Sequence, residues 1–251
     1  MTQLALCFAL DGAGRTRLVE RRAAYPYSVT APVNRAGTVE LTLQSISGGL
    51  YAGESLAQHI NLREGAAARL VQPAATTVRR GGADAPARQN IRLEAGENAQ
   101  LVYASRPLIM LPGAALAQNW EIILSPGARV MFWDGFVSHS PKGEAPDWSL
   151  TSRVNVRGID GKLLAAERMQ VQGATLGNGF QGMAGTFSAF GKFWCLGQSP
   201  ITSAPRFENL HASHTALPNN SGCVIALSAR DGGALCAAME QILSLLDSPP
   251  G

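Results

Sequence analysis

Ser55 lies in a segment that resembles the motif around the nucleophilic serine of hydrolases. Residues Gly53–Ala57 read GESLA and differ by one residue from the G-x-S-x-G motif of serine hydrolases. That motif needs a strand before the serine and a helix after it, with a histidine and an acid later in the chain. Here Ser55 leads into Ile60-Asn61-Leu62, which has the alternation of a strand. We therefore favour a turn between strands, with a hydrolase using Ser55 as an alternative.

Two further patterns resemble parts of ligand sites without their context. Gly177–Gly182 matches G-x-G-x-x-G, but the helix that holds a pyrophosphate in dinucleotide-binding proteins is not indicated after it, so a glycine-rich loop is favoured. His211 and His214 are spaced to share a helical face, yet Pro205 and Pro218 favour a loop or a short helix. No set of His and Cys has the spacing of a closed zinc site. Binding or scaffolding is thus favoured over catalysis.

Composition describes a globular chain with a moderate charge. Of 251 residues, 46% are apolar and 16% charged, which is enough apolar content for a core and excludes a disordered charged tail. The net charge of +3 comes from scattered basic residues and does not demand a nucleic acid. No apolar run reaches membrane-spanning length, and Leu4–Leu10 is interpreted as a first strand. The four cysteines lie far apart, which favours buried thiols in a cytoplasmic protein over disulfides: Cys7, Cys195, Cys223 and Cys236.

Apolar and polar residues alternate with a period of two along most of the segments that would position a functional site. Such alternation is typical of half-buried strands, because successive side chains point to opposite faces. Asp160-Gly161 predicts a turn between two of these runs. Helical spacing predicts a C-terminal helix over Ala234–Leu246, and a weaker one is expected within Gly113–Asn119. The alternating apolar residues are Val39, Leu41 and Leu43, then Trp120, Ile122 and Leu124, then Val154 and Val156, then Met169 and Val171.

An internal repeat organises the middle of the chain. Segments starting at Ile60, Ile91 and Ile122 share the pattern of a strand and a glycine turn, and they are 31 residues apart. A second strand-like run follows each turn, so we expect the units to stack. Leu62, Leu93 and Leu124 would then occupy equivalent inward positions. An ordinary meander is the alternative; in either case residues 1–251 form a single, mainly β domain.

Several motifs within Leu4–Glu144 also resemble the urease accessory protein UreD family, called UreH in some systems. They occur in the family's order and at similar spacing. Two departures are Glu54, where the family has Asp, and Arg106, which replaces a Gln or Asp before Pro107. The matching segments are Gly14–Leu18 as GRTRL, Ser47–Leu56 against PGGLxxGDxL, Ile60–Thr76 against IxLxxGAxxxLTxQAAT, and Ala99–Pro107 against GAxLEWLPxP.

This resemblance implies a protein that is not an enzyme. UreD proteins are chaperones of nickel urease that bind the urease subunits and a UreF-like protein, and through it recruit a UreG-like GTPase that carries nickel. The implied fold is mainly β, with stacked sheets in a roughly helical arrangement and about two α-helices, one near the C-terminus. A UreD-like scaffold repurposed for another partner is the alternative, because family positions are lost.

The resemblance also implies where nickel would pass. No tightly bound cofactor is expected, but transient Ni²⁺ is, in a hydrated passage whose carboxylates and neutral oxygens hold the ion weakly. Five residues fall on acidic or polar positions of the family motifs and are the candidates for this passage: Glu54, Gln72, Thr76, Asp134 and Glu144.

Overall fold

The computed structural model describes residues 1–81, 85–177, 185–197, 205–208 and 210–247. Two α-helices, α1 (Gly173–Gly177) and α2 (Gly232–Asp247), accompany the strands, with a 3₁₀ turn at Pro218–Asn220. The strands are β1 (Leu4–Leu10), β2 (Thr16–Ala23), β3 (Tyr27–Val29), β4 (Val33–Arg35), β5 (Thr38–Ser45), β6 (Ser55–Leu62), β7 (Ala67–Val71), β8 (Thr77–Val78), β9 (Ala87–Ala95), β10 (Gln100–Ala104), β11 (Leu108–Met110), β12 (Ala115–Leu124), β13 (Arg129–Ser138), β14 (Ser149–Gly158), β15 (Leu163–Gln172), β16 (Ala189–Leu196), β17 (Leu210–Ala216) and β18 (Gly222–Ala229).

The strands form two sheets that share one core. Sheet 1 has the order β15-β14-β12-β9-β6-β1-β2, and sheet 2 the order β17-β18-β16-β13-β10-β7-β5-β3 with β4, β8 and β11 attached. The chain alternates between them, so β6, β9 and β12 stack in parallel in sheet 1 while β7, β10 and β13 do so in sheet 2. Antiparallel strands such as β2 and β15 complete the edges. This solenoid-like stack of sheets confirms the fold class expected from the sequence.

The repeat is real, but its register differs from the predicted one. Ile60 pairs with Leu93, and Leu93 with Ile122, so the intervals are 33 and then 29 residues. The segment that leads from β7 in sheet 2 back to β9 in sheet 1 is longer than the segment that leads from β10 back to β12, which accounts for the unequal intervals. Leu62 and Leu124 are equivalent, but both pair with Ala95 and not with Leu93. All three leucines remain buried, because a two-residue shift keeps each side chain on the same face.

Buried aromatic rings join the two sheets in the stacked region. Trp120 in sheet 1 packs between Tyr103 and Phe132 of sheet 2, at centroid distances of 5.7 and 4.8 Å. Phe132 in turn stacks on Trp194 at 5.5 Å. Such pairs contribute about 0.5–1.5 kcal/mol each beyond area burial. The core therefore depends on a few aromatic residues in a chain that has only 6% of them.

The predicted C-terminal helix is confirmed as α2. It packs on the outer face of sheet 2 through Leu235, Ala238, Met239 and Ile242, which form a second buried cluster with residues of β13, β16 and β18. The helix expected within Gly113–Asn119 is wrong, since Ala115 begins β12. Its alanines suit a helix, but pairing with β9 on one side and β14 on the other overrides that weak preference.

Other expectations are settled by the same strands. Gly161 has φ +84° in the turn from β14 to β15, as Asp160-Gly161 predicted. β1 covers the residues interpreted as a first strand. The four cysteines, all of which are described, form no disulfide, and three of them are buried. Within the described ranges, no helix is long and apolar enough to cross a membrane.

Candidate functional site

A small polar cavity lies where sheet 2 opens between two of its strands. The pairing of β10 with β13 ends at Tyr103 and Phe132, and β11 begins to pair with β13 only at Leu108. Between these points the segment at Ser105 and Arg106 has no ladder pairing with β13, although Ser105 Oγ donates to Trp133 O at 3.4 Å, and its side chains line the cavity. About 20 Å³ is open to the centre of a water molecule, which is room for about one water.

This cavity brings together three of the five predicted passage residues. Gln72, Thr76 and Asp134 all line it. Gln72 Nε2 donates to Thr76 Oγ1 at 3.0 Å, which leaves the carbonyl oxygen of Gln72 to face other partners. The indole Nε1 of Trp120, another lining residue, is buried and has no hydrogen-bond partner among the described residues. A bound water would satisfy that donor, as buried polar groups usually require.

Asp134 is the buried charge of the site. It is 4% exposed and belongs to the inward face of β13. Burial is the main cause that raises the pKa of its carboxyl group, Lys192 and a hydrogen bond from Ser152 oppose the shift, and Glu167 adds to it. The net result is a pKa of about 6. Lys192 sits opposite Asp134 on β16 and forms an ion pair with Glu167. The carboxylate is thus close to its titration range at neutral pH.

A row of side chains continues from Asp134 across sheet 1. Ser152 Oγ lies 3.2 Å from Asp134 Oδ2 and 3.4 Å from Gln118 Oε1. Its hydroxyl can donate to only one of these two oxygens at a time. Gln118 Nε2 then donates to Gln89 Oε1 at 2.9 Å. Gln89, Gln118 and Ser152 are direct neighbours in the parallel register of β9, β12 and β14. The parallel stacking therefore converts single inward polar residues into a continuous row.

A second buried polar group crosses between the sheets further along the core. Tyr103 OH donates to Gln58 Oε1 at 2.7 Å, and Gln58 Nε2 donates to Tyr27 OH at 2.9 Å. Burial raises the pKa of both tyrosines, and Gln89 hydrogen-bonds Tyr27. The two groups thus form one network that extends from Asp134 to Tyr27 through the interior.

Removing one hydroxyl should test how much this network contributes to stability. In Tyr103→Phe, Gln58 Oε1 loses its donor while staying buried, which should lower the free energy of unfolding by about 1–3 kcal/mol. Urea denaturation measures the change. Tyr51→Phe is the matched control, since Tyr51 is 41% exposed and its loss should fall within about 0.5 kcal/mol. Equal losses in both variants would contradict a special contribution of the buried network.

The cavity has neighbours on both sides of sheet 2. Toward solvent it meets a hollow beside α2, and Gln72, Ser105 and Arg106 line both spaces. There Arg106 Nη2 bonds Glu240 Oε1 of α2 at 2.5 Å. Inward, Asp134 and Gly135 also border an apolar cleft of about 270 Å³ between β15, β16 and β18. Asp134 consequently lines both the small cavity and the apolar cleft.

The remaining predicted residues lie elsewhere. Glu54 Oε2 accepts a hydrogen bond from Tyr51 N at 2.9 Å in the turn before β6, and Glu144 is exposed in the loop before β14. Ser55 begins β6, so a strand follows it where a nucleophile elbow has a helix. His211 and His214 are in β17, where a spacing of three puts them on opposite faces. Most of Gly177–Gly182 falls outside the described residues.

Sequence reasoning did not single out the interior row. Gln58 and Gln89 stand two residues before the repeat isoleucines, on the same inward face. A polar residue recurring at an inward position of stacked strands is the signal that identifies them. In the described part of the chain, no three His, Cys, Asp or Glu residues cluster as a metal site. The cavity presents one carboxylate with amide and hydroxyl oxygens, a set that holds a divalent cation weakly and reversibly.

Comparison with known proteins places this arrangement in a family. The model of the UreD urease accessory protein family matches residues 1–250. Urease accessory protein UreD 1 of Methylorubrum populi is 34% identical over 263 aligned positions, covering 97% of this chain and 86% of that protein. UreD 1 of Bradyrhizobium sp. (strain BTAi1) is 34% identical over 242 positions, covering 90% and 84%. UreD of Mycolicibacterium smegmatis is 28% identical, covering 93% and 86%. With its family model matched over almost its whole length, the chain belongs to the UreD family of urease accessory proteins.

Proposed function

We propose that this protein is a cytoplasmic scaffold of urease maturation and that it conducts nickel through its interior. In this role it binds the urease apoprotein and a UreF-like partner, and a UreG-like GTPase reaches it through that partner. Ni²⁺ is the cargo and not a resident cofactor. The observation that carries the proposal is the cavity at Gln72, Thr76 and Asp134, set in a chain that matches the UreD family from end to end.

The chemistry of the cavity suits a cation in transit. A thiolate or histidine cluster would hold nickel for long times, whereas oxygen ligands exchange readily. Asp134 supplies the negative charge, and its pKa of about 6 leaves it largely ionised at neutral pH. Gln72, Thr76 and water supply the neutral oxygens. Such a site attracts the ion without trapping it.

The spaces next to the cavity support passage in preference to storage. The cavity borders the hollow beside α2 on one side and the cleft between β15 and β16 on the other. Glu240 neutralises Arg106 at the outer opening, which lowers the repulsion that a lone guanidinium would exert on an entering cation. A partner docked at either opening would exclude bulk solvent from the route.

Co-expression tests the proposed function directly. The urease subunits, a UreF-like protein and a UreG-like GTPase are produced in a bacterial host with and without this chain, and nickel per urease active site is measured in the purified enzyme. We expect nickel content several-fold higher with the chain present. We also expect the chain to co-purify with the urease subunits and to be more soluble beside its UreF-like partner. Equal nickel content without the chain, or a soluble chain that binds neither protein, would refute the proposal.

A further inference from the structure

The outer face of sheet 2 is only half covered. Helix α2 packs over Trp133 and the neighbouring part of β13, β16 and β18. The rest of that face, over β5, β7, β10 and the start of β13, forms a trough of about 400 Å³. This volume is in the range of specific binding sites. Helix α2 therefore leaves the first residues of these four parallel strands uncovered.

Arginines and other polar groups provide most of the surface of the trough, and two apolar side chains form part of its floor. Arg35, Arg69 and Arg129 line it together with a single acidic residue, Glu40. Val102 and Met131 are neighbours across β10 and β13 and form part of the floor. The structure shows no ion pair for Arg35 or Arg129 within the ranges it describes. With Arg35 and Arg129 against Glu40 alone, the trough carries a net positive charge beside the apolar side chains of Val102 and Met131.

The positive groups are spread over several strands. Arg129 pairs in register with Gln100 of β10, and Gln100 with Ala67 of β7, while Arg35 reaches the trough from β4 beside β5. Three strand spacings separate β5 from β13, or about 14 Å. A single small anion cannot contact both ends of such a site. An extended segment of several residues can.

The trough continues along helix α2. Arg69 lines both the trough and the hollow beside the helix, where Met239 and Leu243 provide an apolar wall. That hollow has a volume of about 190 Å³ and reaches Gln72 and Arg106 at the outer opening of the cavity. The two spaces meet at Arg69 and are together called the groove, with Arg35 at one end and Arg106 at the other.

We propose that this groove binds an acidic segment of a partner protein. Carboxylates of the segment pair with Arg35 and Arg129, and an apolar side chain packs on Val102 and Met131. The charge complementarity selects an acidic partner, and the length of the groove selects a peptide segment over a free anion. A segment seated in the groove lies over the outer opening at Arg106. The inference concerns docking and does not depend on the proposed nickel route.

Peptide binding to the full chain tests this inference. The probe is a fluorescein-labelled peptide of glutamates with two leucines, followed by fluorescence anisotropy at low and moderate salt. We expect saturable binding that weakens with salt. The variant Arg35→Glu with Arg129→Glu should bind at least about tenfold more weakly, since two attractive pairs become repulsive. A peptide with glutamines in place of the glutamates should bind more weakly to the wild-type chain.

The control reverses the same number of charges on the other sheet. Arg88→Glu with Arg153→Glu changes two exposed arginines on the outer face of sheet 1 and alters the net charge equally. This variant should keep the affinity within about twofold. Equal weakening in both double variants, equal binding of the glutamine peptide or failure of the acidic peptide to bind would overturn the proposal. Tighter binding of a single-stranded oligonucleotide at the same arginines would also overturn it, by assigning the groove to nucleic acid.

Discussion

Replacing Leu93 with aspartate is expected to unfold the protein or to lower its free energy of unfolding by more than about 4 kcal/mol. Leu93 is fully buried, and it pairs with Ile60 on one side and Ile122 on the other in the middle of the parallel stack. The substitution removes a buried leucine, which alone costs about 2–5 kcal/mol, and it adds a carboxylate with no partner. Total stabilities of about 5–15 kcal/mol leave little margin for such a loss.

Urea denaturation followed by circular dichroism measures this effect. Asn90→Asp is the matched control, because Asn90 lies on the same strand and faces solvent, so its substitution should change the stability by less than about 0.5 kcal/mol. If Leu93→Asp does not yield folded protein, Leu93→Ala should still fold with a loss of about 2–5 kcal/mol. A small loss in both Leu93 variants would mean that the stacked strands do not form the core.

The fold was accessible from the sequence because two-residue alternation reports directly which face of a strand is buried. The runs around Val39, Trp120 and Val154 all became strands with the expected inward side chains. The register was not accessible to the same degree. A shift of two residues keeps every side chain on its face, so alternation cannot distinguish Leu93 paired with Ile60 from Leu93 paired with Leu62. Only the lengths of the segments that connect the stacked strands determine the register.

The candidate site was accessible in part. Gln72, Thr76 and Asp134 came from the family resemblance, and the fold brings them to one cavity although they are far apart in the chain. The buried row of Gln89, Gln118 and Ser152 escaped sequence reasoning because each member alone is an ordinary polar residue in a strand. Their alignment arises only when parallel stacking places equivalent residues side by side. Interior polar rows of this kind depend on register, the feature that alternation does not determine.

Asp134 offers a test in which the pH dependence of stability and the delivery of nickel should both change. The pKa of its carboxyl group is raised from 3.8 to about 6 by burial, so the folded state binds the proton more tightly than the unfolded state. Its contribution to stability is therefore present below pH 3.8 and is lost as the pH rises through 6. The loss amounts to about 3 kcal/mol when complete, of which about 2 kcal/mol falls between pH 4.5 and pH 8.

The amide of Asp134→Asn does not titrate, and it keeps the size and the hydrogen-bonding capacity of the side chain. The stability of the variant relative to the wild-type protein should therefore improve by about 2 kcal/mol from pH 4.5 to pH 8, as measured by urea denaturation at both pH values. A pH-independent difference between the two proteins would show that the carboxyl group is not strained by burial. Glu144→Gln, at an exposed position, should show no such dependence.

Urease matured in the presence of Asp134→Asn should nonetheless contain several-fold less nickel than urease matured with the wild-type chain. Among the described residues that line the cavity Asp134 is the only carboxylate, so the amide lowers the attraction for Ni²⁺. Urea denaturation at pH 8 establishes that the variant is folded under the conditions of the nickel assay. A loss of nickel delivery cannot then be attributed to unfolding. Urease matured with Glu144→Gln should keep its nickel. Unchanged nickel content with Asp134→Asn, or an equal fall with both variants, would show that the charge at Asp134 takes no part in nickel transfer. The chain would then be a docking scaffold alone.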